Sequence, residues 1–506
     1  MAEGPVAAWP RPWSMLLVGL GGSVLVVALA SSDVLPLGLP RQWEWLPRAR
    51  DLQLGSFTLA SVLLCLATVG LVGRVLARRD SPRLRVCGAL VLMCVLASGA
   101  MLLAPVADDP VVVATLGATT TSVGAMGYYG LAVKFDSLAA GFRMYVTRDT
   151  ALGMPGRIQT HPPGPFLWAH WGRRLTQHWP ALAQAAMGFL HWRYGFTPEH
   201  LHGFALGYAM PGTINVAEAP GAWLHGLVTT LCGGLLPITA YLMAAGLWDR
   251  RAGLAAAVIA ATLPALLAFV PSIDGMAAVL GMLPVVGVAW AVRRNSFLLA
   301  LLAGVALAMA LLWSTGLAAV LGPMAGICLA AARPGLQGLR ASPRPLWLLG
   351  VALLTAVAAH AMLFLATGYS LPRDFQVMSA VHHGQVGGRS YWLWLPMNVW
   401  DFVLFMGPTL ALLVSASVVR MRLLPSEVRG AVLGMVGTWL VILLSGVTRG
   451  EVGRIWLFMM PLLTPGVAGW LTRLPGREGA QALLLLTSAQ ILVGLGLYRV
   501  LDLVHP

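Results

Sequence analysis

Long apolar runs alternate with short arginine-bearing loops along almost the whole chain, and few folds accommodate that alternation. A run of about 19 apolar residues crosses the hydrocarbon of a bilayer when helical, because a helix satisfies every backbone N–H and C=O internally. Such runs fall near 14–30, 55–73, 87–104, 222–246, 253–270, 275–292, 296–313, 316–332, 346–366, 396–418, 430–446, 455–471 and 480–498, about thirteen in all. The expected fold is an all-α polytopic membrane protein, with 1–506 forming a single transmembrane domain. Composition agrees: 58% of the 506 residues are hydrophobic and 10% are charged, against roughly a quarter charged in soluble domains.

The net charge is +14, and Lys134 is the only lysine, so the excess is arginine spread over loop ends. That distribution excludes a basic nucleic-acid face and points to membrane topology and anionic lipid. Arg74, Arg78, Arg79, Arg83 and Arg85 crowd one loop, which is expected to be cytoplasmic. Arg250-Arg251, Arg293-Arg294, Arg333 with Arg340, Arg420 with Arg429, and Arg473 with Arg477 then fall on the same side, and the carboxyl terminus falls outside. Met15 to Ala30 reads as an uncleaved signal anchor. The five cysteines lie inside apolar runs as small hydrophobes, with no metal-type spacing.

This arrangement puts 105–221, 367–395, the Pro271 to Asp274 turn and 447–454 on the extracytoplasmic side of a plasma membrane. The first of these is rich in aromatics and histidine, and 166–195 has the pattern of one or two helices lying in the interface plane. Residues 111–133, rich in threonine and glycine, are expected to be re-entrant or interfacial. Within 105–221, Thr160-His161-Pro162-Pro163-Gly164-Pro165 stands out. The paired prolines fix φ and hold His161 on an extended segment where its ring can meet a polar ligand. A solvated histidine ahead of an interfacial helix is the competing reading.

Acidic residues are scarce. Asp108, Asp109, Asp136, Asp149, Asp274 and Glu451 fall on the extracytoplasmic side, and loop caps are the ordinary use of such aspartates. Arg449, Glu451 and Arg454 form a tighter group, because charge at a membrane boundary is costly unless paired or functional. His382-His383 lacks a third ligand at metal spacing, so no metal site is expected.

A multispanning chain whose first large outer segment carries Gly127-Tyr128-Tyr129-Gly130 and then His161-Pro162-Pro163-Gly164 resembles the GT-C glycosyltransferases. The resemblance is especially to the bacterial and archaeal branch related to protein mannosyltransferases and aminoarabinose transferases. The Pro271 to Asp274 turn and Arg449-Gly450-Glu451-Val452-Gly453-Arg454 add to the likeness. The resemblance implies transfer of a sugar from a polyprenyl-phosphate donor to a lipid, glycan or protein acceptor. It places the catalytic carboxylate at Asp108 or Asp109, with Asp136 next. Substrate contacts would come from His161, Tyr128, Tyr129, Lys134, Arg449, Glu451 and Arg454. The chain departs from the pattern in carrying Thr121, Ser122 and Gly124 where relatives carry an aspartate. No cofactor is identified, and a divalent cation is left open. A transporter or lipid flippase, with polar groups at the bilayer midplane, is the alternative, and a non-catalytic relative is a third.

Overall fold

A computed structural model describes residues 11–32, 34–47, 56–77, 83–106, 110–122, 127–135, 137–147, 156–206, 214–269, 272–332, 342–475 and 477–502. These residues form an all-α membrane protein with two small antiparallel ribbons, Gly38–Leu39 with Trp43–Glu44 and Leu46–Pro47 with Leu501–Asp502. Among them, 7 helices are long and apolar enough to cross a membrane, or 8 if one bent pair counts as a single span. Every apolar run contains helix, but several are broken. Arg250–Ala261 gives way to Pro264–Ala268, and 455–471 divides into short pieces. Tyr391–Met406 meets Pro408–Val419 at 108°. Proline supplies the reason for two of the breaks, since Pro264 and Pro408 each begin the second helix, where no amide hydrogen is needed. The run 111–133 divides into Pro110–Thr121 and Tyr128–Lys134, both too short to span.

The bundle has two distinct ends. At one, Arg473 pairs with Asp249 at 3.7 Å and stacks 4.0 Å over Trp248, Arg11 meets Glu478 at 3.6 Å, and Arg420 lies over Trp470. At the other, the ribbon of Leu46–Pro47 with Leu501–Asp502 joins the loop after the first helix to the segment after the last. Asp274–Arg294 links the two ends with 21 residues. At 1.5 Å per residue that is about 31 Å, the hydrocarbon thickness of a bilayer.

One helix crossing is made by glycines. Gly322 and Gly326 face Gly430 and Gly434, and a Cβ on Gly326 would sit 2.0 Å from the Gly430 carbonyl oxygen. A Cβ on Gly430 would in turn meet the Gly326 oxygen at 2.1 Å. Small residues four apart on both helices let backbones approach where lipid offers no hydrophobic drive for association. Gly326→Val and Gly430→Val are expected to destabilise by about 1–3 kcal/mol, read as a lower melting temperature in detergent. Wild-type melting in both would refute the close crossing.

Segment 105–221 builds a second core at the end opposite Arg420 and Arg473, from Tyr128, Tyr129, Phe142, Tyr145, Ile158 and Phe166, joined by Tyr369. Ile273 packs against both this core and that of the bundle, so the segment is seated where Asp274 begins its helix. Pro163 caps the helix Gly164–His178, and Pro165 stands in its first turn. A Cβ on Gly164 would lie 2.4 Å from the Leu312 carbonyl oxygen, so this glycine lets the helix start directly against the bundle.

Candidate functional site

Arg454 is the centre of the best-formed charged group at this end. Its guanidinium is bound by Glu451 and lies 3.6 Å from Asp274 Oδ2, with side-chain exposures of 7%, 20% and 18% respectively. Asp274 opens its helix and is held by Ser272, whose hydroxyl donates to Oδ2 at 3.0 Å. Two carboxylates therefore converge on one guanidinium, leaving the trio with one excess negative charge at partial burial. The sequence marked the Asp274 turn and the 449–456 stretch separately, and Arg454 joins them.

The loop that carries Glu451 is strained and braced. Glu451 has φ +58°, a left-handed conformation that costs a residue with a Cβ roughly 1–2 kcal/mol. Two side chains on the helix Tyr391–Met406 hold it there. Asn398 accepts the Gly450 N–H at 3.1 Å and donates to the Thr448 carbonyl at 2.7 Å. Asp401, only 3% exposed, accepts from Gly453 N–H at 2.8 Å and from Trp45 Nε1 at 3.0 Å. Asp401→Asn removes an acceptor from one of these donors, and a loss of about 1–3 kcal/mol is expected in thermal unfolding. No loss of stability would mean that the loop is held by something else.

Arg449 is held by backbone carbonyls. It donates to the Gly446 and Arg389 carbonyls and lies 5.9 Å over the Tyr391 ring. Arg389 answers by donating to the Arg449 carbonyl and stacks over Trp43 and Trp394, at 5.7 and 5.9 Å. Burial lowers the Arg389 pKa, and the nearby Glu451 carboxylate opposes that shift. Among the described residues neither guanidinium forms an ion pair. Two like charges thus stand together on an aromatic floor beside the strained loop, an arrangement suited to an anion.

The residues of the first large segment gather elsewhere. The His161 ring packs edge-on to Tyr128 at 6.2 Å, and its Nδ1 lies 3.4 Å from Thr160 Oγ1. The turn Gly156–Thr160 just ahead of it packs against the helix Leu371–Val386. Tyr129, fully buried, donates to Glu218 Oε2 at 3.2 Å, while Arg173 binds Glu218 Oε1 at 2.9 and 3.0 Å and the Ala132 carbonyl at 3.1 Å. Burial and the neighbouring Glu218 push the Tyr129 pKa up, so its hydroxyl remains a donor across the physiological range. Lys134 is exposed, 6.0 Å from the Phe135 ring. Asp108, Asp109 and Asp136 lie outside the described residues, as do Asp149 and Pro271.

Sequence reasoning missed Glu218 and Asp401, and it placed Arg389 beside Tyr391 and Trp394 in the second outer loop without giving it a role. Only Asp401 carried a signal, as a carboxylate inside the apolar run 396–418. Among the described residues no three His, Cys, Asp or Glu side chains group closely enough to hold a metal ion. No protein-family model and no curated protein matches this chain.

Proposed function

We propose that this is an integral-membrane glycosyltransferase of GT-C type, which moves a sugar from a polyprenyl-phosphate donor to an acceptor on the extracytoplasmic face. The observation that carries this reading is the convergence of Asp274 and Glu451 on Arg454, beside Arg389 and Arg449, at the end of the bundle opposite its arginine belt. In this reading about thirteen spans hold the polyprenyl tail in lipid, and the acceptor is a lipid, glycan or protein reaching the site from outside. The acceptor hydroxyl oxygen bonds to the anomeric carbon, the bond from that carbon to the phosphate oxygen breaks, and a carboxylate takes the hydroxyl proton. Arg454 is occupied by two carboxylates, so Arg389 and Arg449 are the better partners for the departing polyprenyl phosphate. The resemblance puts the proton acceptor at Asp108, Asp109 or Asp136, which lie outside the described residues; among the described ones Glu451 is the candidate base, and a divalent cation stays open.

The test is transfer of labelled sugar by the purified chain in vesicles, with donor and acceptor supplied on one side at a time. Transfer is expected only from the side on which a cysteine at position 161 is labelled, and a cysteine at position 294 should be labelled from the other. Absence of transfer with a panel of polyprenyl-phosphate sugars, or labelling of position 161 from the cytoplasmic side alone, would overturn the reading.

One observation favours a transporter instead. The breaks at Thr262–Pro264 and Gly407–Pro408 adjoin, with Gly407 against Pro264 and Gln490. Thr262 donates to Gln490 Oε1 at 3.0 Å, and the buried Gln490 Nε2 has no hydrogen-bond partner among the described residues. Thr262, Pro408 and Gln490 each stand 12 residues from Arg250, Arg420 and Glu478 at the arginine end. That is about 18 Å of helix rise, close to the bilayer midplane where broken helices bind transported solutes. Gln490→Leu separates the readings: unchanged sugar transfer is expected, whereas a transporter would lose solute passage.

A further inference from the structure

A cavity of about 230 Å³ lies away from the charged trio, where the second large loop meets the first segment. It arises from two helix ends. Gly368, at φ +75°, closes the helix Arg344–Thr367, and Ser370 caps the helix Leu371–Val386, so Arg373 and Asp374 stand in the first turn of that helix. Tyr145 and Val146, from the helix Leu138–Val146, form the facing wall.

We propose that this cavity binds a single neutral sugar ring. The volume equals roughly seven or eight waters, enough for one ring and too small for a lipid chain or a nucleotide. Its lining offers both hydrogen-bond signs: Asp374 brings an acceptor, Arg373 a donor, and Ser370 a hydroxyl. Phe364 and Tyr145 supply apolar faces for the C–H side of a ring. The lining carries one positive and one negative side chain and so no net formal charge, which suits a hydroxylated neutral ligand better than an anion or a cation. Asp374 is 3% exposed, and its Oδ2 accepts the Tyr369 hydroxyl at 2.7 Å, so the carboxylate is fixed before any ligand arrives. Tyr145 and Tyr369 belong to the same aromatic core as Tyr128 and Tyr129, against which Ile273 packs beside Asp274. The assignment rests on the glycosyltransferase reading only for the origin of the ring, in the acceptor or in the donor.

The test uses the full chain in lipid nanodiscs and saturation-transfer NMR with free glucose, mannose, galactose, arabinose and N-acetylglucosamine, without donor. At least one sugar is expected to bind, and Val377→Trp, which fills the cavity, should weaken it at least tenfold. Asp374→Asn keeps an oxygen for the Tyr369 hydroxyl and, in a variant shown by its melting to be folded, should weaken binding similarly. No sugar bound by the wild type, or equal binding by a folded Val377→Trp variant, overturns the proposal. Binding without any transfer activity would retain the sugar site and remove the transferase. In an active enzyme, a raised KM for the acceptor in Val377→Trp assigns the ring to the acceptor, and a raised KM for the donor assigns it to the donor. Unchanged KM for both would leave the transferase standing and remove the site.

Discussion

Arg454→Met is expected to cost about 3–5 kcal/mol of stability, the usual penalty for removing one partner from a buried charge pair. The side chain is 7% exposed and bridges carboxylates that are themselves mostly covered, so its loss strands two negative charges at a membrane boundary. Thermal melting in detergent should show a large drop, and sugar transfer should fall with it. Arg454→Lys keeps the charge but not the planar fork and should be intermediate. Because a lost ion pair and a merely truncated side chain could both lower melting, the partner must be varied too. Glu451→Gln in the Arg454→Met background should restore part of the loss, with a coupling of about 0.5–3 kcal/mol between the two positions. Wild-type melting of Arg454→Met, or strictly additive losses in the pair, would show that the trio does not hold this end of the bundle together.

The parts of this structure that follow from one-dimensional pattern were readable. Apolar runs mark the helices because a spanning helix must be apolar along its length, and Arg250, Arg293, Arg420 and Arg473 mark one end because each terminates or begins such a run. The glycines at 322, 326, 430 and 434 carried a readable spacing too, and their crossing could have been anticipated. The candidate site was only half legible. Asp274 and Glu451 were singled out as rare acids near boundaries, but 177 positions separate them, and nothing periodic announces that Arg454 touches both. The sequence left open which of Arg449 and Arg454 Glu451 would orient and which would face an anion. In the fold Glu451 binds Arg454, while Arg449 donates to the Gly446 and Arg389 carbonyls. Glu218 escaped notice and Arg173 was read only as an interruption of an interfacial helix, for a similar reason: a residue just before a span and one within an interfacial helix are both ordinary places for solvated charge.

Glu451→Gln should lower sugar transfer about 10²- to 10⁴-fold with little change in donor affinity, the pattern of a lost general base. Glutamine keeps the shape and one acceptor oxygen but cannot take up the acceptor's proton. Glu451 is favoured over Asp274 because of its backbone. A left-handed glutamate stands where glycine would be easier, and Asn398 and Asp401 brace the loop on both sides of it, a local strain of the kind found at functional sites. Asp274 is tied to Ser272 and opens a helix, a position in which a carboxylate serves to orient Arg454 and cap the amide dipoles. Asp274→Asn should therefore reduce turnover less than Glu451→Gln and lower the melting temperature more. The ratio of the two turnover losses, measured at saturating donor, decides the assignment. A larger loss in Asp274→Asn reverses the roles, and wild-type turnover in both variants moves the base to Asp108, Asp109 or Asp136, leaving Glu451 as a strut for Arg454.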